Sequence, residues 1–121
     1  MLRVRLGAQD THYRGTVVPG ATTLRMMADC GVQITTRSDG EGGLLAAVDG
    51  AEFLQPLFVG DFIEFRAWLT ASGRRSRRMT IEALRTIRAP GDEPGSRPSI
   101  CDPPEIVARA TLVIVVSRPS S

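Results

Sequence analysis

The chain has 121 residues, and 15 arginines against 13 acidic side chains leave a formal net charge of +2, which bounds it to one ordinary domain with both signs of charge interspersed and no marked preference for a polyanion. A chain of this length buries roughly two thirds of the surface its unfolded form exposes, so it builds a core without staples. Cys30 and Cys101 lack the paired spacing of a zinc ribbon, His12 is the single histidine and lysine is absent, which argues against a disulfide framework, a metal site and lysine Schiff-base chemistry.

Leu2, Val4 and Leu6 alternate with Arg3 and Arg5, the period-two pattern of a short strand with one buried face. Residues 7–20, GAQDTHYRGTVVPG, hold no period and predict a loop ending at Pro19-Gly20. A helix follows, with Ala21, Leu24, Ala28, Gly31, Val32 and Thr35 on one face and Thr22, Met26, Asp29, Gln33 and Thr36 on the opposite stripe, until SDGEGG at 38–43 ends it. Gly31 costs about 1 kcal/mol against alanine in mid-helix, which predicts close packing on a sheet.

The remainder predicts strands. LLAAVDGAEFLQPL starts at Leu44 with a break near Asp49-Gly50, and DFIEFRAWLTA puts Ile63, Phe65, Ala67 and Leu69 on one face. SGRRSR is a hairpin turn, after which Met79, Ile81, Ala83 and Arg85 alternate with Glu82, Leu84 and Thr86. APGDEPGSRPSICDPP holds five of the eight prolines and predicts a surface loop before the last strand, EIVARATLVIVV. One helix followed by long antiparallel strands is an α+β layout, the hotdog fold, with one central helix wrapped by a curled sheet. Residues 1–117 form its single domain and 118–121 a frayed tail. No stretch approaches the roughly eighteen consecutive apolar residues of a membrane span. The expectation is a cytoplasmic protein without membrane contact.

This fold hosts many activities, so function has to come from the site. The run DTHYRGTVVPGATTLRMMADCG, then AEFLQPLFVGDFIEF, SGRRSRRMTIEA and CDPPEIVARAT, resembles the β-alanyl-CoA and 3-aminobutyryl-CoA ammonia lyases over residues 1 to about 117. The resemblance implies an enzyme that adds ammonia to an α,β-unsaturated acyl-CoA or removes it from a β-aminoacyl-CoA. Relatives of those lyases include acyl-CoA thioesterases. It implies no cofactor beyond the coenzyme A carried by the substrate, and the thiol carrier is CoA or a carrier protein.

Such an elimination needs a base for the α-proton and donors for the enolate oxygen. The backbone N–H groups of Gly20 and Ala21, at a helix start, are candidate donors; the alternative is a Pro-Gly that merely begins a helix. Asp29 matches the catalytic aspartate that the resemblance implies, against the alternative of a solvated aspartate. His12 falls where the resemblance implies a residue that polarises the carbonyl or shuttles a proton. Asp10 is a further catalytic candidate of that loop, with bracing of the backbone as the alternative, and Tyr13 is a candidate substrate contact. Gln33 stands where the lyases carry a glutamate one turn after the aspartate, and Val32 where they carry a threonine; an amide hydrogen-bonds but takes no proton at neutral pH.

In the hairpin, Arg75, Ser76 and Arg77 are candidates to clamp the phosphates of CoA, because guanidinium groups bind them bidentately. A solvated turn is the alternative. A nucleic-acid partner is not expected, since no aromatics interleave with these arginines. The expected assembly is a homodimer or higher homo-oligomer, because a single sheet leaves a strand edge near Leu44–Val48 unpaired. The remaining alternatives are an acyl thioesterase and a non-catalytic acyl-thioester binding module.

Overall fold

The computed structural model describes residues 2–7 and 17–117. In chain order the elements are β1 (Leu2–Arg5), β2 (Val17–Val18), α1 (Gly20–Asp39), β3 (Leu44–Phe53), β4 (Leu57–Phe58), β5 (Phe62–Ser72), β6 (Ser76–Arg88) and β7 (Ser99–Val115). Five strands make one antiparallel sheet in the order β1-β5-β6-β7-β3, while β2 and β4 pair with each other. The helix lies on β5, β6 and β7, and Met27, Cys30, Phe65, Met79, Ile81, Leu112 and Ile114 fill the space between. This is the α+β hotdog arrangement expected from the sequence. No helix among the described residues is long and apolar enough to cross a membrane.

The helix starts and stops where the sequence places it. Gly40 ends it in the left-handed region at φ 74°, its N–H donating to Thr36 O at 3.1 Å, a conformation that costs glycine least. Its buried face is rotated only in part from the expected one, since Gly31 and Thr35 are buried and Leu24 and Ala28 pack against the core as the sequence predicts. Thr22, Thr23, Met26, Met27 and Cys30 face the core, whereas Ala21 and Val32 are exposed. The adjacent methionines decide the roll, because turning them inward removes more apolar surface from water than burying Ala21 and Val32 would.

Gly31 packs as its position predicts. A Cβ there would stand 2.9 Å from Met79 Sδ and 3.2 Å from Ile114 Cδ1, so helix and sheet approach more closely than a side chain allows. Gly31→Val is expected to lower stability by about 1–3 kcal/mol through overpacking. Chemical denaturation checks this, and an unchanged midpoint would show that the two layers have room to separate.

Two strand expectations need correction. The break at Asp49-Gly50 is a bulge inside a continuous β3, with the register stepping between Val48 and Gly50; one extra residue is accommodated without ending the strand. The proline-rich loop ends earlier than expected, since β7 begins at Ser99 and pairs Ser99 and Ile100 with Arg88 and Ile87. Pro103 and Pro104 fall where the register shifts between Arg85 and Ile87, a stretch that asks no ladder N–H of them. β2, inside the expected loop, is a two-residue strand held by β4. The tail at 118–121 lies outside the described residues.

Candidate active site

The start of α1 is built as a donor site. Pro19 is the N-cap residue, no side chain among the described residues caps the helix, and its first turn carries no acidic residue. The Pro19 carbonyl accepts the N–H of Thr22 at 3.0 Å and of Thr23 at 3.4 Å. The N–H groups of Gly20 and Ala21 have no hydrogen-bond partner among the described residues. Free donors at the positive end of a helix dipole favour an anionic oxygen.

A cavity of about 230 Å³ opens beside these donors, with Gly20, Thr23, Phe53, Gln55, Pro56 and Val107 among its walls. Pockets for drug-sized ligands run to several hundred Å³, so this one has room for a short acyl group. The Phe53 ring comes within 3.4 Å of where a Gly20 Cβ would stand, which closes one side tightly. A larger recess of about 490 Å³ lies along β1 and β5. Its polar groups are already paired, Glu64 with Arg3 and Arg66 and Arg5 over the Phe62 ring, and it contains none of the residues expected to act.

Behind the small cavity sits a buried charge network that the sequence reading did not single out. Arg85 is 1% exposed and donates to Asp61 Oδ2 at 3.0 Å, Pro56 O at 3.1 Å, Gln55 Oε1 at 3.0 Å and Glu105 Oε2 at 3.3 Å. Asp61 is fully buried and also accepts the N–H groups of Phe58 at 3.0 Å and Ala89 at 2.7 Å. Arg88, the Cys101 thiol and Arg85 hold the Glu105 carboxyl at about 2, well below the ordinary carboxylate range, so Glu105 stays ionised at neutral pH. The Arg85 Nε–H is buried with no hydrogen-bond partner among the described residues. The signal available in the sequence was parity: Arg85 shares the inward face of β6 with Met79, Ile81 and Ala83.

The residues expected to act are distributed as follows. Gly20 and Ala21 are at the helix start and Gly20 lines the cavity. Asp29 is on the outward side of α1, 59% exposed, with Arg25 at 3.4 Å. Although the sheet wraps the helix, it does not enclose Asp29 within one chain, because Met26 and Met27 face the sheet instead. Gln33, one turn further on, is half-buried. Asp10, His12 and Tyr13 lie outside the described residues. Asp29 follows Gly20 by nine residues, which at about 1.5 Å per residue separates them by about 13 Å along the axis.

The arginine turn divides. Arg75 is exposed and Ser76 half-buried, but Arg77 is 4% exposed and points inward to the end of the helix. It donates to Asp39 Oδ1 at 2.7 Å and Oδ2 at 3.0 Å, and to the carbonyls of Gly73 at 3.0 Å and Ser76 at 2.9 Å. The hydrogen bond from Arg77, with a smaller one from Ser38, holds the Asp39 carboxyl below its usual range. Arg77 is therefore committed to joining hairpin and helix, and the phosphate-clamp expectation is corrected for it. Among the described residues no three His, Cys, Asp or Glu side chains converge as a metal ion would require.

Fold and site together describe a hotdog protein with a small cavity beside the start of its helix. Residues 15–88 match the family model of the thioesterase superfamily, and the chain belongs to that superfamily. It is 36% identical over 118 residues, 98% of this chain and 94% of the other, to a 3-aminobutyryl-CoA ammonia lyase of Acetoanaerobium sticklandii. The structure of β-alanyl-CoA:ammonia lyase from Clostridium propionicum superposes with a TM-score of 0.89 at 26% identity, covering 99% of this chain and 89% of that one. A hexameric hotdog fold thioesterase of Campylobacter jejuni superposes with a TM-score of 0.78 at 19% identity over 99% of this chain and 88% of that one, a likeness of fold.

Proposed function

We propose that the chain is a β-aminoacyl-CoA ammonia lyase acting on a short acyl group. The observation that carries this reading is the acyl-sized cavity lined by Gly20, at a helix start where the N–H groups of Gly20 and Ala21 have no partner among the described residues, in a chain related over nearly its whole length to a lyase of that class. In the eliminating direction the substrate carries an ammonium on Cβ. The Asp29 carboxylate removes a proton from Cα, and the electron pair moves toward the thioester oxygen, where the two N–H groups stabilise the enolate. The enolate then collapses to the Cα–Cβ double bond while the Cβ–N bond breaks and its electron pair leaves with ammonia. Protonated Asp29 returns its proton to that ammonia, giving ammonium. The Gln33 amide can donate or accept a hydrogen bond but takes no part in proton transfer.

A thioester oxygen and its α-proton are only a few ångströms apart, whereas Gly20 and Asp29 of one chain are about 13 Å apart. Both act on one substrate only if they come from different chains. The edge strand β3 offers the means. Among the described residues it is unpaired on one side, with Leu44, Leu45, Val48 and Phe53 exposed along it. Pairing two such edges across a twofold axis removes the exposed edge and sets the helices of two subunits on one face. Hexameric assembly of the Campylobacter jejuni thioesterase supports an oligomer of this kind.

Gln33, in place of an acid, favours one further reading, hydrolysis of the thioester. A single assay separates them. With crotonyl-CoA and ammonium, the lyase consumes the enoyl chromophore without releasing free thiol. Thiol release with the chromophore's loss assigns a thioesterase, and binding with neither change assigns a non-catalytic module; either result overturns the lyase.

A further inference from the structure

We infer that Gln55, oriented by Arg85, is a third donor to the thioester carbonyl oxygen, beside the N–H groups of the helix start. The inference rests on the acyl-thioester reading above and adds a residue to it. Gln55 is exposed in the wall of the small cavity that Gly20 also lines. Its carboxamide has two arms of opposite chemistry, and which arm points where is normally ambiguous. Here Arg85 settles it. A guanidinium only donates, so the arm at 3.0 Å from Arg85 Nη2 is the oxygen, and the NH2 arm is left for the cavity. No hydrogen bond of the Gln55 NH2 to any described residue is present.

The arm is also fixed in place. The Leu54 and Gln55 N–H groups both reach Val107 O, at 2.8 Å and 3.3 Å, and the Pro56 carbonyl accepts Arg85 Nη1 at 3.1 Å. Residues 54–56 are thus anchored on both sides of the Gln55 side chain. Arg85 itself is held by Asp61, which is fully buried. A donor anchored in this way needs little reorganisation when charge develops on the oxygen, the condition under which such a donor contributes most. Arg85 touches no substrate in this arrangement and is a positioning residue.

The test compares two ligands that differ in the carbonyl: butyryl-CoA, a thioester, and S-butyl-CoA, the thioether without that oxygen. Gln55→Met keeps the bulk and removes the amide. It is expected to weaken butyryl-CoA binding about three- to tenfold, leave S-butyl-CoA binding unchanged, and lower kcat/KM for crotonyl-CoA amination about a hundredfold. Arg85→Lys keeps a charge beside Asp61 but cannot span Gln55 and Pro56 together; it is expected to lose the same discrimination, with no further loss when combined with Gln55→Met. Equal weakening of both ligands by Gln55→Met, or weakening of neither, overturns the assignment. If the unaltered protein binds neither ligand, the acyl-CoA reading itself fails, and that result is seen before any variant is compared.

Discussion

Asp29→Asn is expected to lower kcat about a hundredfold to ten-thousandfold with crotonyl-CoA and ammonium, while leaving the melting temperature where it is. The first half follows from the task. Asparagine keeps the shape of the side chain but cannot take the α-proton, and loss of a general base has an effect of that size. The second half follows from the surroundings. Asp29 is well exposed, and its contact with Arg25 at 3.4 Å is a surface i,i+4 pair of the kind that contributes at most a few tenths of a kcal/mol. An aspartate serving only the fold would give the reverse pattern. Steady-state kinetics beside a thermal melt reads both halves, and a fully active variant removes Asp29 from the mechanism.

Asp61→Ala is expected to have the largest effect on stability, about 3–5 kcal/mol, because it leaves the Arg85 charge buried without its nearest partner. Two further losses add to it. The N–H groups of Phe58 and Ala89, which Asp61 accepts at 3.0 Å and 2.7 Å, are left without their acceptor, and the segment between β4 and β5 loses its tie to the end of β6. Set against the 5–15 kcal/mol that small domains have in total, the variant would be close to unfolding. Urea denaturation measures it. A loss below about 1 kcal/mol would mean that Glu105 alone compensates Arg85, and the network would then have no single centre.

Much of the fold was legible because burial has a period. Alternation in Ile63-Phe65 and Met79-Ile81-Ala83 gave β5 and β6 their inner faces, and Gly31 announced the close approach of helix and sheet. The roll of the helix was less legible, since small residues such as Ala21 and Ala28 share a face as readily as the two methionines do, and volume rather than spacing decides between them. The early start of β7 was hidden by prolines, which signal a loop unless a bulge removes the need for their N–H.

The site was legible in part for a similar reason. Gly20 and Ala21 stand out as candidates because a helix start has orphan donors whatever the rest of the chain does. Arg77 was misread because a run of arginines in a turn suggests one exposed cluster, although the strand alternation places Arg77 and Arg85 on the same inward face as Met79. Gln55 gives no signal by itself; it becomes a candidate only when Arg85, thirty residues away, fixes its oxygen.

The central claim is that each active site joins the helix start of one subunit to Asp29 of another, and mixed assemblies test it most directly. Gly20→Pro removes the donor N–H at a helix position where proline is tolerated, after Pro19, whose extended backbone at ψ 147° suits a following proline. This variant and Asp29→Asn are each expected to be nearly inactive alone. Co-expressed in equal amounts, they should recover about a quarter of the unaltered activity, because that share of sites draws Gly20 from one kind of chain and Asp29 from the other. Mixed assemblies as inactive as their parents would place both groups on one chain and contradict the account.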